Sequence, residues 1–411
     1  MKELLIIGYV WPEPNSSAAG SRMMQLITFF QQQNYQITFA SPAQRTEHMV
    51  ELSDFQVNCV DIKLNCASFD GFVKQLQPDV VMFDRFMMEE QFGWRISEQC
   101  PQSLKLLDTE DLFCLRHARH HAYKQQREMT DIDLLSSDLA QREVAAILRC
   151  DLSLMISPKE IALLENTFKL DTNLLHFCPL MYSQEDFLLN NPELAQRHDF
   201  ISIGNFRHAP NWDAVLWLKQ QIWPLIRLQL PQAQLKVYGA YPPPKATALH
   251  DEKSGFLVKG WVDDAMLAMQ SARVCLAPLR FGAGIKGKLA EAMLCATPSV
   301  TTDIGIEGME SEIGWPGMVA NNSQAFADAA VKLYQNQEAN TWQQLSDLGP
   351  KNAKLLFDQD KYFALLAARL AEISSTLLVH RQQNFIGAML NHHHHKSTKY
   401  MAQWIEAKNK L

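Results

Sequence analysis

Cysteine pairing is what this chain most plainly lacks. Its eight cysteines, at positions 59, 66, 100, 114, 150, 178, 275 and 295, include no Cys-x-x-Cys pair. Neither a zinc site nor a disulfide framework is indicated, and a reducing cytosol fits best. An excess of positive charge is also missing, since 38 Lys and Arg stand against 45 Asp and Glu for a net charge of −7. That argues against a nucleic-acid-binding protein held by a global positive field, so any anionic ligand must be gripped locally. No run of roughly 18 consecutive apolar residues occurs, so no transmembrane helix is expected and any membrane contact would be peripheral. The opening MKELLIIGYVWPEP has only a short apolar run before Pro12, too short for a secretory signal. Low-complexity tracts and fixed-period repeats are absent, which excludes general disorder and a solenoid. No Asp-x-Asp follows a predicted strand, and independence from metal is expected.

What is present is a globular composition, 47% hydrophobic and 20% charged over 411 residues. That length suits two α/β domains and a tail. Leu4 to Val10 is a near-continuous apolar run, as a parallel strand buried on both faces should be. A Pro, Asn, Ser and Gly loop follows, then a helix over Ser21 to Gln32 and a strand over Tyr35 to Ala40. Further strands are predicted at Val80 to Phe83, Leu104 to Leu107 and Leu152 to Ile156, with a helix over Asp138 to Leu148. A polar stretch from Asn190 to His198 precedes a fresh strand at Phe200 to Ile203, and the βα alternation then repeats to a long helix near Lys361 to Leu377. The reading is two Rossmann-like domains, 1–185 and 186–378, with a helical tail at 379–411. Open α/β sheets bind ligands beyond the carboxyl ends of their strands, so the loops after the strands are where function is sought.

The most informative stretch is Pro278-Leu-Arg-Phe-Gly-Ala-Gly-Ile-Lys-Gly-Lys-Leu-Ala-Glu-Ala, between a predicted strand and a predicted helix. Gly282, Gly284 and Gly287 let backbone N–H groups approach an anion, and the helix N-terminus that follows favours negative charge. Lys286 and Lys288 add cations. Glu291, one turn after Lys288, can accept hydrogen bonds from two neighbouring sugar hydroxyls. Phosphate plus ribose implies a nucleotide. The same glycines match the dinucleotide fingerprint, with Asp303 as the ribose partner, which keeps an NAD-type oxidoreductase open. A third alternative is a glycine-rich surface turn with solvated lysines.

Arg280-Phe-Gly-Ala-Gly-Ile-Lys-Gly-Lys-Leu-Ala-Glu-Ala-Met, then Pro298-Ser-Val-Thr-Thr and Gly305-Ile-Glu-Gly, resembles the donor-binding half of retaining GT-B glycosyltransferases of family 4. Gly204-Asn-Phe, Pro210-Asn211 and Asp213-Ala-Val resemble the same group, so that the likeness runs over about residues 200 to 310. It implies a GT-B fold, two Rossmann-like domains facing across a cleft. It also implies transfer of a sugar from a nucleoside-diphosphate sugar to a saccharide or lipid-linked acceptor in cell-surface glycan synthesis. The nucleotide sugar is then a co-substrate and no cofactor is expected. By the resemblance Glu291 binds the ribose, loop amides from Gly284 through Ile285 to Lys286 meet the diphosphate, and Gly204 and Lys288 join the donor site. The family's sugar-contacting Glu falls at Ala283, which leaves a non-catalytic sugar-nucleotide-binding protein open as an alternative. Arg207 is the nearest counterpart of the basic residue many members place after the first strand of this domain.

In the first domain the resemblance puts Gly20 near the donor diphosphate, while Ser21 is a candidate helix cap. Asp84-Arg85 and the Asp108 to Asp111 segment follow predicted strands and should face the cleft. Asp111 could orient a hydroxyl or accept a proton. A histidine from this domain often binds a sugar hydroxyl in family members, and His117 is the choice here, with His120, His121 and His208 as alternatives. Catalysis is thus expected to involve His117, Asp111 and Lys286. The run His392 to His395 reads as solvated tail rather than a metal site. A cytoplasmic location is expected, with the inner face of the membrane as an alternative.

Overall fold

The computed structural model describes residues 2–336 and 340–409; the side chains of 393–396 fall outside the described set. The first sheet has seven parallel strands: β1 (Lys2–Ile7), β2 (Tyr35–Ser41), β3 (Asn58–Asp61), β4 (Val80–Asp84), β5 (Leu104–Asp108), β6 (Leu152–Met155) and β7 (Leu175–Phe177), in the order β3-β2-β1-β4-β5-β6-β7. The second has six: β8 (His198–Ile203), β9 (Leu235–Tyr238), β10 (Phe256–Gly260), β11 (Ala272–Ala277), β12 (Ser299–Thr301) and β13 (Gly317–Val319), in the order β10-β9-β8-β11-β12-β13. Each strand order reverses once, between β1 and β4 and between β8 and β11, and these are the switch points at which open α/β sheets leave a crevice.

The continuous apolar runs are explained by alternation within buried strands. Leu5, Ile7, Val81 and Phe83 join the core on one face of the first sheet, and Leu4, Ile6, Val80 and Met82 the core on the other. Successive residues point to opposite faces, and helices cover both. In the second sheet Val274 and Leu276 face one core and Cys275 another.

The boundary expected at 378 differs from the packing. Helix Gln359–Gln383 places Tyr362, Phe363, Leu366, Leu370 and Ile373, a stripe at helical spacing, into the core of the first unit. The chain therefore crosses between the units twice, and the crossings lie side by side: Tyr182 N–H donates to the Phe357 carbonyl at 2.8 Å and Gln359 N–H to the Tyr182 carbonyl at 2.9 Å. The first helix begins at Ala18, earlier than expected, because Ser17 rather than Ser21 caps it by accepting the Gly20 N–H at 3.1 Å. Ser21 Oγ instead donates to the Pro14 carbonyl at 2.9 Å.

Candidate active site

The carboxyl ends of the two sheets face each other across a cavity of about 540 Å³. Its walls are the segments that leave the strands at the switch points: Tyr9 to Gly20 after β1, Asp84 and Arg85 after β4, Ile203 to Asn211 after β8, and Leu279 to Glu291 after β11. Among the expected site residues Gly20, Asp111, Gly204, Arg207, Ile285, Lys286, Lys288 and Glu291 all line it.

On the second-lobe wall, helix Gly287–Leu294 points its N-terminus into the cavity, with Lys286 as the capping residue. Lys286 is 8% exposed, and burial pushes its pKa down to about 8. Lys288 donates to Asn211 Oδ1 at 2.8 Å and is likewise held at about 8 by burial. A Cβ on Gly204 would lie 2.6 Å from Asn211 Nδ2 and 2.7 Å from Lys288 Nζ, so a side chain there would displace that hydrogen-bonded pair. Burial raises the pKa of Glu291 while Lys288 opposes it, and among the described residues no hydrogen bond reaches its carboxylate. A helix N-terminus flanked by one buried and one partly buried ammonium group, with a carboxylate one turn on, is an arrangement that suits a phosphate ester carrying a vicinal diol.

The first-lobe wall is denser in paired charge. Arg22 donates to Asp108 from Nε at 3.0 Å and Nη2 at 2.8 Å, both side chains fully buried, which fixes the base of the wall. Arg85 and Glu110 follow β4 and β5 with left-handed backbones, φ 70° and 61°. Such conformations cost a non-glycine residue roughly 1–3 kcal/mol and gather at functional sites. Burial and the neighbouring Asp108 hold the Glu110 carboxyl well above the usual carboxylate range. Asp111 is ion-paired with Arg116, which reaches across the cavity to within 3.3 Å of His208 Nε2.

Two expectations need correction. His117 sits exposed on helix Phe113–Lys124 and does not line the cavity, because the helix turns its neighbours Arg119 and His120 toward the second lobe instead. Arg119 donates to the Gly282 carbonyl at 2.8 Å and pairs with Glu307 at 2.8 and 2.9 Å, and His120 stacks on Phe281 at 4.3 Å. Gly284 also does not line the cavity. Its N–H donates to Glu160 Oε1 at 2.8 Å, and that oxygen accepts the Leu112 N–H at 3.0 Å as well. The Glu160 carboxyl, pushed up to about 8 by burial and Asp111, thus ties the loops of both lobes together.

Sequence reasoning missed this closure. Glu160 lies 124 residues from Gly284, Glu307 lies 188 from Arg119, and Glu13, which accepts the Tyr241 hydroxyl at 2.7 Å, lies 228 from it. No local pattern marks any of them. Gly20 lines the wall as expected, but its N–H is already given to Ser17, and a Cβ would lie 2.4 Å from the Glu13 carbonyl oxygen. Asp303 accepts from Asn321 Nδ2 at 2.7 Å, is exposed, and stands outside the cavity, so the ribose partner of the dinucleotide reading is not at the site.

Two parallel Rossmann-type sheets with facing carboxyl ends, joined by a double crossing and closed by a C-terminal helix returning to the first lobe, form the GT-B fold of glycosyltransferases. The comparisons with known proteins agree. Residues 197–336, the second-lobe segment that holds β8 to β13, match the family model described as Glycosyl transferases group 1. A Klebsiella pneumoniae protein described as an uncharacterized 44.6 kDa protein in the cps region is 24% identical over 141 residues, a match covering 33% of this chain and only 36% of that protein. A glycosyltransferase from Rickettsia africae superimposes with a TM-score of 0.65 at 11% identity, over 92% of this chain and 98% of that one. Anabaena HepE, solved in complex with UDP-glucose, gives 0.63 at 12% identity, over 90% and 100%. A variant of S. aureus TarM in complex with Fondaparinux, alpha-GlcNAc-glycerol and UDP gives 0.68 at 9% identity, over 90% and 99%.

Proposed function

We propose that this protein is a glycosyltransferase that moves a hexosyl group from a nucleoside-diphosphate sugar to a saccharide or lipid-linked acceptor, with retention and without metal, in cell-surface glycan synthesis. The observation that carries the reading is the second-lobe wall. Lys286, Lys288 and the amino end of helix Gly287–Leu294 converge on the cavity, with Glu291 one turn beyond. The diphosphate would lie against the lysines and the helix N-terminus, and the ribose against Glu291. As the bond to the sugar breaks, negative charge grows on the leaving diphosphate, and these preorganised cations and dipoles stabilise it. The acceptor would lie on the first-lobe wall, where Arg85, Glu110 and Asp111 offer donors and acceptors to hydroxyls. The cross-lobe bonds of Glu160, Arg119 and Tyr241 would exclude water and limit hydrolysis of the donor. The match of residues 197–336 to a glycosyltransferase family supports the donor half of this reading. The Klebsiella relative's place in a cps region supports the glycan role.

A peripheral position at the inner face of the membrane is part of the proposal. Helix Phe385–Asn409 exposes Phe385, Ile386, Met389, Tyr400, Met401 and Trp404, an apolar set on a surface helix. The run His392 to His395 lies on this helix, with the side chains of 393–395 outside the described residues.

The test is a thermal-shift panel of UDP, GDP, ADP and NAD. Stabilisation by at least one nucleoside diphosphate is expected, and stabilisation by NAD alone would overturn the reading. A specific observation favours a second reading: the family's sugar-contacting Glu is Ala283 here, buried against the first-lobe core. That reading is a sugar-nucleotide-binding protein without transfer, and detectable donor turnover would reject it.

A further inference from the structure

A second cavity, of about 330 Å³, lies at the opposite, amino end of the first sheet, under the junction of helices Gln359–Gln383 and Phe385–Asn409. Lys105 and Arg149 line its floor and Arg381 and Asn391 its roof. Most of its charge is already matched. Arg381 donates to the Asp151 carboxylate from Nε at 2.7 Å and Nη2 at 2.8 Å, and the same carboxylate takes the Lys105 N–H at 2.8 Å. Arg149 Nε lies 2.9 and 3.0 Å from the two Glu89 oxygens.

What is left over is specific. Arg149 Nη1 has no hydrogen-bond partner, on a side chain 1% exposed. Lys105 is 6% exposed; its ammonium makes one long contact, 3.4 Å to Ser97 Oγ, and has no carboxylate partner among the described residues. Asn391 Oδ1 is buried and unpartnered. Buried cationic donors with unfilled hydrogen-bonding capacity are costly, and a bound oxyanion lowers that cost through charge-assisted hydrogen bonds.

We propose that this cavity is a second ligand site, for phosphate or a small phosphate monoester. Lys105 and Arg149 donate to its oxygens and Asn391 Oδ1 accepts an O–H. The cavity has room for a small organic group on the phosphate. A ligand there touches the ends of β5 and β6 below and the two C-terminal helices above, so it fastens the tail to the first lobe. The site is remote from the cleft and independent of the glycosyltransferase reading.

Hydrogen exchange of the 380–391 backbone in the full chain, with and without inorganic phosphate or glucose 1-phosphate, tests it. With ligand at ten times its Kd, exchange of that segment should slow about tenfold. Lys105→Met should abolish the slowing, and so should Asn391→Asp, which sets a carboxylate against the anion. Should Lys105→Met fail to fold, Asn391→Asp on the outer helix decides alone. Lys288→Ala, in the cleft, should keep the effect. A larger effect of glucose 1-phosphate than of phosphate identifies the monoester as ligand, and equal effects identify the bare anion. No slowing with either compound, or slowing that survives the cavity variants, overturns the proposal.

Discussion

Replacing Lys288 with methionine should stabilise the free protein and cripple nucleotide binding, two effects of opposite sign from one side chain. The Lys288 ammonium is partly buried in the cavity wall with Asn211 Oδ1 as its hydrogen-bond partner, and desolvation lowers its pKa from 10.5 to about 8. That depression corresponds to roughly 3 kcal/mol of destabilisation of the folded apo protein at neutral pH, at about 1.4 kcal/mol per unit. The sign follows from proton counting. Between about 8 and 10.5 the unfolded lysine keeps its proton while the folded one has released it, so apo stability rises with pH across that window. Methionine removes the charge at a cost of about 1 kcal/mol for the lost hydrogen bond. Glu291 also loses a favourable neighbour. A net gain of about 1–2 kcal/mol remains, worth roughly 4 °C in Tm at the size of each lobe. Under the proposed function a bound diphosphate would reverse the balance, because it would lie against the ammonium. Losing a charged hydrogen bond of about 1.5–3 kcal/mol weakens binding about 10- to 150-fold. In the wild type, nucleotide affinity should fall as pH rises through about 8, where Lys286 and Lys288 lose their protons. Scanning calorimetry of the apo protein from pH 7 to 10, with titration calorimetry against UDP, GDP and ADP, measures both. A variant with lower apo Tm and undiminished nucleotide affinity would refute the placement of the phosphate at Lys288.

Glu291→Gln should weaken nucleoside-diphosphate binding about tenfold and leave pyrophosphate binding unchanged, at about 1.4 kcal/mol for one hydroxyl contact; equal losses in calorimetry would remove the ribose assignment. Gly284→Ala forces a Cβ to 2.9 Å from that of Asp111 at φ +62°. It should cost about 2 kcal/mol in denaturant unfolding and part the lobes in small-angle scattering. Glu160 has a folded pKa raised to about 8 from 4.5, so its contribution to stability is complete below 4.5 and is lost as pH rises through about 8. Glu160→Gln should flatten the stability profile over that window, and an unchanged slope in urea titrations would contradict the buried bridge. Phe385→Ser with Trp404→Ser should reduce co-flotation with phosphatidylglycerol vesicles severalfold; undiminished flotation would exclude this helix as the contact.

The parts of the fold legible in the sequence are those whose cause is local. Leu4 to Ile7 had to be a strand buried on both faces, since an apolar run before a Pro, Asn and Gly loop has few other solutions. The second-lobe wall was legible for a similar reason: glycines, lysines and Glu291 fall within ten consecutive residues, so spacing alone sets them around one helix N-terminus. The first-lobe choices fared differently. His117, Arg119 and His120 share one helix, and which of them faces the cleft depends on the rotation of that helix. The rotation is set by Glu143, which accepts the N–H groups of Phe113 and Cys114 at 2.9 and 2.8 Å from another helix. The helix Gln359–Gln383 has an apolar stripe that any core could take, and contacts distant in sequence, the double crossing at Tyr182 and Gln359 and the bonds of Arg369 to Asn173 and Arg381 to Asp151, direct it to the first lobe.

The glycine-rich segment has two duties, and its residues divide between them. Lys286, Lys288 and Glu291 face the cavity, while Phe281, the Gly282 carbonyl and the Gly284 N–H are bound by His120, Arg119 and Glu160 of the opposite lobe. A Cβ on Gly287 would lie 2.5 Å from that of Ala18. The glycines are therefore needed as much for close approach of the lobes as for approach of an anion. Lys286 Nζ donates to the Gly284 carbonyl and the Gly284 N–H to Glu160, so an anion that drew Lys286 away would act on the residue that holds the opposite lobe. Under the proposed function, lobe closure and donor occupancy would be coupled through this one short stretch of backbone, without any conformational relay through either core.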